Sequence, residues 1–67
     1  MMSKRIGKNI TSLIEKNNIR RYDVANAIGM TTQAIYSWES GDSMPREKHL
    51  VKLAKFFKVE LDFFYKE

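Results

Sequence analysis

The chain has no cysteine. No disulfide can staple it and no thiolate can hold a metal, so nothing in it demands an oxidising compartment. It has a single histidine, His49. With no Cys or second His to join it, that residue makes no metal site, and an exposed place on a helix is expected. No apolar run approaches the roughly 18 residues of a membrane span. The first residues, MMSKRIGKN, lack the apolar stretch of a secretory signal. No segment alternates with period two for long enough to make a convincing strand. There is no phosphate-cradling glycine loop and no paired His/Asp/Ser or Cys/His set, and the chain is too short to build a deep pocket, so an enzyme is not expected. These absences leave a soluble, cytoplasmic domain with no cofactor, no metal, no membrane partner and no evident small-molecule ligand. At 67 residues the chain is one domain, residues 1–67, with a small core.

Charge is present but uneven. Residues 1–21 hold six Lys/Arg against one Glu. Residues 22–45 hold three acids and no Lys or Arg. Residues 46–67 hold six Lys/Arg against four acids. Net charge is +4 and the sequence pI is near 9.6, which favours an anionic partner such as nucleic acid. Within the central segment, NAIGMTTQAIYSWE (residues 26–39) carries one formal charge, Glu39.

Apolar residues recur at helical spacing. Ile6, Ile10, Leu13 and Ile14 form one stripe, and Leu50, Leu53, Ala54 and Phe57 another. Breakers divide the helices. Asn17-Asn18 can end the first, because Asn tolerates a left-handed backbone. Gly29 and Gly41 end the second and third. Thr31 is placed to cap the third, and Pro45 opens the fourth. Five helices are expected, at about 4–16, 21–28, 32–39, 46–57 and 61–65, in an all-α fold.

From Arg21 onward the apolar residues Val24, Ile28, Met30, Ile35 and Trp38 fall where two short, steeply crossing helices must touch. Ala25 is small at the crossing and Gly29 sits at the turn. With the segment DVANAIGMTTQAIYSWESG, the following Pro45 and the ending LVKLAKFFKVELDFF, the chain resembles the lambda-repressor-like, Cro/CI-type helix-turn-helix family over about residues 5–65. The resemblance implies five helices, with the first, fourth and fifth packed around the second and third. It implies that the third enters the DNA major groove, and that dimers bind two half-sites about one helical turn apart. Four positions depart from the family pattern. Ile14 replaces an Arg that pairs with the residue matching Glu39, so Glu39 needs another partner or water. Arg21 stands where Gln is usual and Arg46 where Ser is usual. Lys58 replaces a Gly, and is strained if positive φ is kept there.

Base edges are read by hydrogen bonds and methyl contacts, whereas phosphates supply position and most of the sequence-independent affinity. A neutral reading helix flanked by basic segments separates these jobs. Thr32, Gln33, Tyr36 and Ser37 share the face opposite Ile35 and Trp38 and are the expected base readers. Gln33 leads them, because its amide can donate and accept together at adenine. The resemblance assigns the phosphate clamp to Arg21, Thr31, Ser40, Arg46 and Lys48. Three consecutive aromatics, Phe63, Phe64 and Tyr65, cannot all face inward from one short helix. Leu61 and Phe64 are expected inside, which leaves Phe63 or Tyr65 for a homodimer contact.

The expected function is sequence-specific binding of double-stranded DNA by a transcriptional regulator, a repressor acting as a small dimer on a palindromic operator. Free-standing Cro-like regulators, restriction-modification controllers, antitoxins and fragments of larger repressors all fit this length. The rival reading is a protein-interaction module, an antitoxin or partner-binding subunit, that keeps the fold with little DNA specificity.

Overall fold

The computed structural model describes residues 2–67. Four α-helices form: α1 (Met2–Lys16), α2 (Arg21–Ile28), α3 (Thr32–Ser40) and α4 (Glu47–Phe57). The fifth expected helix is instead a 3-10 segment, Leu61–Tyr65. Five residues are too few to repay the nucleation of an α-helix, and the tighter 3-10 winding suits a short closing turn. No strand occurs among the described residues, and no helix there is long and apolar enough to cross a membrane. Arg46 is the cap of α4 rather than its first residue, and Pro45 is buried just before it.

All four α-helices stop in the same way. A residue just past each helix takes a left-handed backbone, and the next amide reaches back to a carbonyl five residues earlier. The four are Asn18 (φ 52), Gly29 (φ 74), Gly41 (φ 85) and Lys58 (φ 60). The closing bonds are Ile19 N–H to Ile14 O, Met30 to Ala25, Asp42 to Ser37 and Val59 to Ala54, at 2.9–3.3 Å. Each satisfies a carbonyl that the helix end would otherwise leave free. Lys58 therefore keeps the positive φ that its side chain disfavours. Lys58→Gly should raise stability by about 1 kcal/mol, read as a higher urea midpoint at unchanged slope. An unchanged midpoint would mean that the Lys58 backbone is not strained.

The stripes seen in the sequence meet in one core. Ile6, Ile10, Leu13 and Ile14 of α1 pack with Val24, Ala25 and Ile28 of α2, Ile35 and Trp38 of α3, and Leu50, Leu53 and Ala54 of α4, closed by Phe64. Contacts between elements run as a closed ring. The helix α1 lies on α3, α3 on α2, α2 on α4, α4 on the 3-10 segment, and the 3-10 segment back on α1. Asn9 fastens the last joint: its Nδ2 donates to the carbonyls of Phe64 (2.9 Å) and Lys66 (2.8 Å). Gly7 fixes the joint between α1 and α3. A Cβ there would run into the backbone carbonyl oxygens of Trp38 and Glu39, the latter at 2.6 Å. The bare backbone lets the two helices cross almost in contact.

The aromatic ending packs more fully than expected. Phe64 is fully buried, as expected, whereas Leu61, Phe63 and Tyr65 are all half-buried against the core. In a 3-10 segment three successive side chains are spread around the whole circumference, but this segment sits in a corner between α1 and α4, which accepts all three. The exposed aromatics lie elsewhere, at Tyr22, Tyr36 and Phe56.

Candidate nucleic-acid interface

The helix α3 begins at Thr31, whose extended backbone (φ −97, ψ 157) and hydroxyl make the expected cap: Oγ1 accepts from Ala34 N–H at 3.1 Å. Ile35 and Trp38 are buried and fix the inner face. Gln33 and Tyr36 are exposed on the outer face, with Thr32 and Ser37 half-buried beside them.

The expected readers thus divide. Gln33 and Tyr36 are exposed. Ser37 is partly occupied: its Oγ lies 2.7 Å from Ser43 Oγ, and its carbonyl receives the amide of Asp42. Ser40, expected in the phosphate clamp, is exposed, but its hydroxyl donates to the Ser37 carbonyl at 3.1 Å and accepts weakly from Asp42 N–H at 3.4 Å. Both serines shape the turn after α3. Thr31, Arg46 and Lys48 are exposed, and neither cation is in a salt bridge among the described residues.

Arg21 is engaged within the protein. It is half-buried and meets Glu39 through a two-pronged bond, Nε to Oε2 at 2.9 Å and Nη2 to Oε1 at 2.7 Å. Thr11 Oγ1 of α1 donates to the same Oε1 at 2.6 Å. The side chain of Glu39 is only 10% exposed, so its one charge is turned inward and matched. Burial pushes the Glu39 carboxyl up, but the bonds from Arg21 and Thr11 and the Arg21 charge outweigh it and hold the group below its ordinary value. Arg21 is in turn raised, first by its bond to Glu39. The partner of Glu39 left open by Ile14 has therefore moved from α1 to the first turn of α2. Two departures from the family pattern, a missing Arg at position 14 and an added one at position 21, compensate each other. That complementarity was the signal in the sequence. Thr11 carried none, because a threonine on an amphipathic helix has many ordinary uses.

Two further features complete the site. Arg21 Cζ lies 5.8 Å from the centre of the Tyr36 ring, so the same guanidinium touches a candidate reader. His49 of α4 is half-buried rather than exposed, with its ring 5.4 Å from that of Trp38. Its Nδ1 is buried without a partner. Burial first, then the charges of Lys48, Lys52 and Arg46, pull its pKa down. No group of His, Cys, Asp or Glu among the described residues is arranged to hold a metal.

No curated protein matches the chain significantly. Among solved structures it is similar to the P22 c2 repressor in complex with a synthetic operator, 9T, with 26% identity and a TM-score of 0.84 over 91% of this chain and 92% of that one. It shares the fold of the SOS-response transcriptional repressor LexA from Eubacterium rectale, with 23% identity and a TM-score of 0.92 over 98% of this chain and 70% of that one. A helix-turn-helix family model matches residues 10–64. Because that match takes in all of α2, the turn, α3 and α4, the protein is a member of the lambda-repressor-like, Cro/CI-type helix-turn-helix family.

Proposed function

We propose that this DNA-binding transcriptional regulator is a repressor that reads a palindromic operator as a homodimer, with α3 in the major groove. One observation carries the reading. The single acid of α3 is turned inward and neutralised, so Gln33 and Tyr36 stand on a face free of negative charge. A phosphate-lined groove would repel an exposed carboxylate there. Gln33, Tyr36 and the Thr32 methyl read bases, and Ser37 contributes through what its bond to Ser43 leaves free. Arg46 and Lys48 supply phosphate contacts, with Thr31 and Ser40 beside the helix ends; the Arg21 charge is already matched by Glu39. The operator bound to the similar P22 repressor supports duplex DNA as the partner.

Gln33→Ala should lower affinity for the selected site by about 1–2 kcal/mol and relax preference at one base pair. Binding to unrelated duplex should hardly change. Equal losses on both DNAs would remove Gln33 from base reading.

Two copies must meet in a fixed orientation to place their reading helices about 34 Å apart. The half-buried Phe63 and Tyr65 offer their remaining apolar surface for that contact. Selection of sites from random duplex DNA tests the whole reading. A two-fold symmetric consensus, with Phe63→Ala/Tyr65→Ala losing cooperativity on the full site but not affinity for one half-site, is the expected result. Binding without sequence preference would instead favour a protein-interaction module on the same fold.

A further inference from the structure

Arg21 occupies an unusual place for a residue at the edge of a DNA-binding face. Its guanidinium is held in one plane by the two-pronged bond to Glu39, and Glu39 is itself held by Thr11. That triangle ties α1, α2 and α3 together at one point. The guanidinium also lies within reach of the Tyr36 ring, 5.8 Å from its centre. Tyr36 is otherwise exposed, and a free tyrosine on a helix surface samples several rotamers. A cation fixed against its ring favours one of them. Lysine could supply the charge but not the plane, because it has no fork to grip both carboxylate oxygens.

We propose that Arg21 is a positioning residue for base recognition: clamped on Glu39, it holds the Tyr36 ring in one orientation, and so sets sequence preference at a base pair it does not touch. The inference rests on the proposed major-groove reading by α3. It makes the Arg21–Glu39 pair more than a replacement for a lost helix contact. It also separates Arg21 from Arg46 and Lys48, which keep their charges free for phosphates.

The test compares Arg21→Lys, Arg21→Met, Tyr36→Leu and the Arg21→Lys/Tyr36→Leu pair on the selected operator and its single-base-pair variants, across a salt series. Thermal melting checks the fold of each variant. Tyr36→Leu identifies the base pair that Tyr36 reads. At that base pair alone, Arg21→Lys should reduce discrimination by about two- to fivefold, the worth of a modest cation–ring contact. The double variant should lose no more discrimination than Tyr36→Leu alone, and the salt slope of Arg21→Lys should match the parent. In the unmodified protein the Arg21 Nε–H proton resonance should be displaced by the Tyr36 ring, and Tyr36→Leu should abolish that displacement. This second measurement decides if the Arg21 variants do not fold.

Full discrimination retained in Arg21→Lys and Arg21→Met would overturn the proposal. So would equal loss at every base pair, which marks a purely structural role. A salt slope about one unit lower in Arg21→Met, with discrimination kept, would return Arg21 to the phosphate clamp. Absence of any sequence preference in the parent protein is a different result, and it would overturn the major-groove reading itself.

Discussion

Gly7→Ala should destabilise the protein by roughly 2–4 kcal/mol, although alanine is the better helix former. The helix-propensity gain is about 1 kcal/mol and acts in the opposite direction. It loses because the added methyl meets backbone atoms rather than a side chain that could swing away: the Glu39 carbonyl oxygen would lie at 2.6 Å and its carbon at 3.0 Å. Relief requires α1 to move off α3 as a body. In a domain of this size the thermal midpoint should fall by about 10–20 °C. Because the lost contact is on the backbone of α3, DNA affinity measured well below the midpoint should drop as well. A variant with a parental midpoint would show that the two helices separate without cost, and would contradict the tight crossing.

Glu39→Ala should cost about 3 kcal/mol, near the lower end of the loss expected when one partner of a buried pair is removed. The lower end applies because Arg21, left behind, is 26% exposed on its side chain and can recover some water. Thr11 also loses its acceptor. The pair further predicts an acid response. The Glu39 carboxyl is held below its ordinary value of 4.5 in the folded state, so the unfolded chain takes up the proton first. The stabilisation is complete above pH about 4.5 and is lost as pH falls through the lower, folded value. Urea titrations between neutral and acid pH should show that decline in the parent and a shallower one in Glu39→Ala. Parallel curves would mean that Glu39 titrates normally.

Much of this architecture was readable from residue types. The stripes of α1 and α4, the turn at Gly29, the cap at Thr31 and the buried Trp38 each depend on local pattern, and each stands where the pattern puts it. Lys58 is the telling case: the resemblance raises a positive φ there only as a condition, and the residue keeps it against its own preference. What escaped was set by meetings between distant segments. The Arg21–Glu39 bond spans 18 positions and the Asn9 clamp more than 50, and no periodicity reports such pairs. His49 was misplaced for the same reason. Its own helix would leave it outside, but Trp38 arrives from α3 and covers it. At the site, Gln33 and Tyr36 lie on the outer face that helix geometry gives them, whereas the hydroxyls of Ser37 and Ser40, the latter singled out by the resemblance, are engaged within the protein. Their hydroxyls are diverted by the turn after α3, which brings Ser43 back to the helix.

The closed ring of elements also bears on how the chain acquires its shape during synthesis. The ring is joined at α1 and the 3-10 segment, which are nearly the first and last parts of the described chain. Phe64, fully enclosed at that joint, is the final core residue to leave the ribosome. Until it emerges, one flank of α1 has no neighbour, and the apolar stripe there stays wet. Helices of 8 to 15 residues do not persist alone in water, so little of the early part can settle in advance. The core is therefore incomplete until residue 64 clears the exit tunnel.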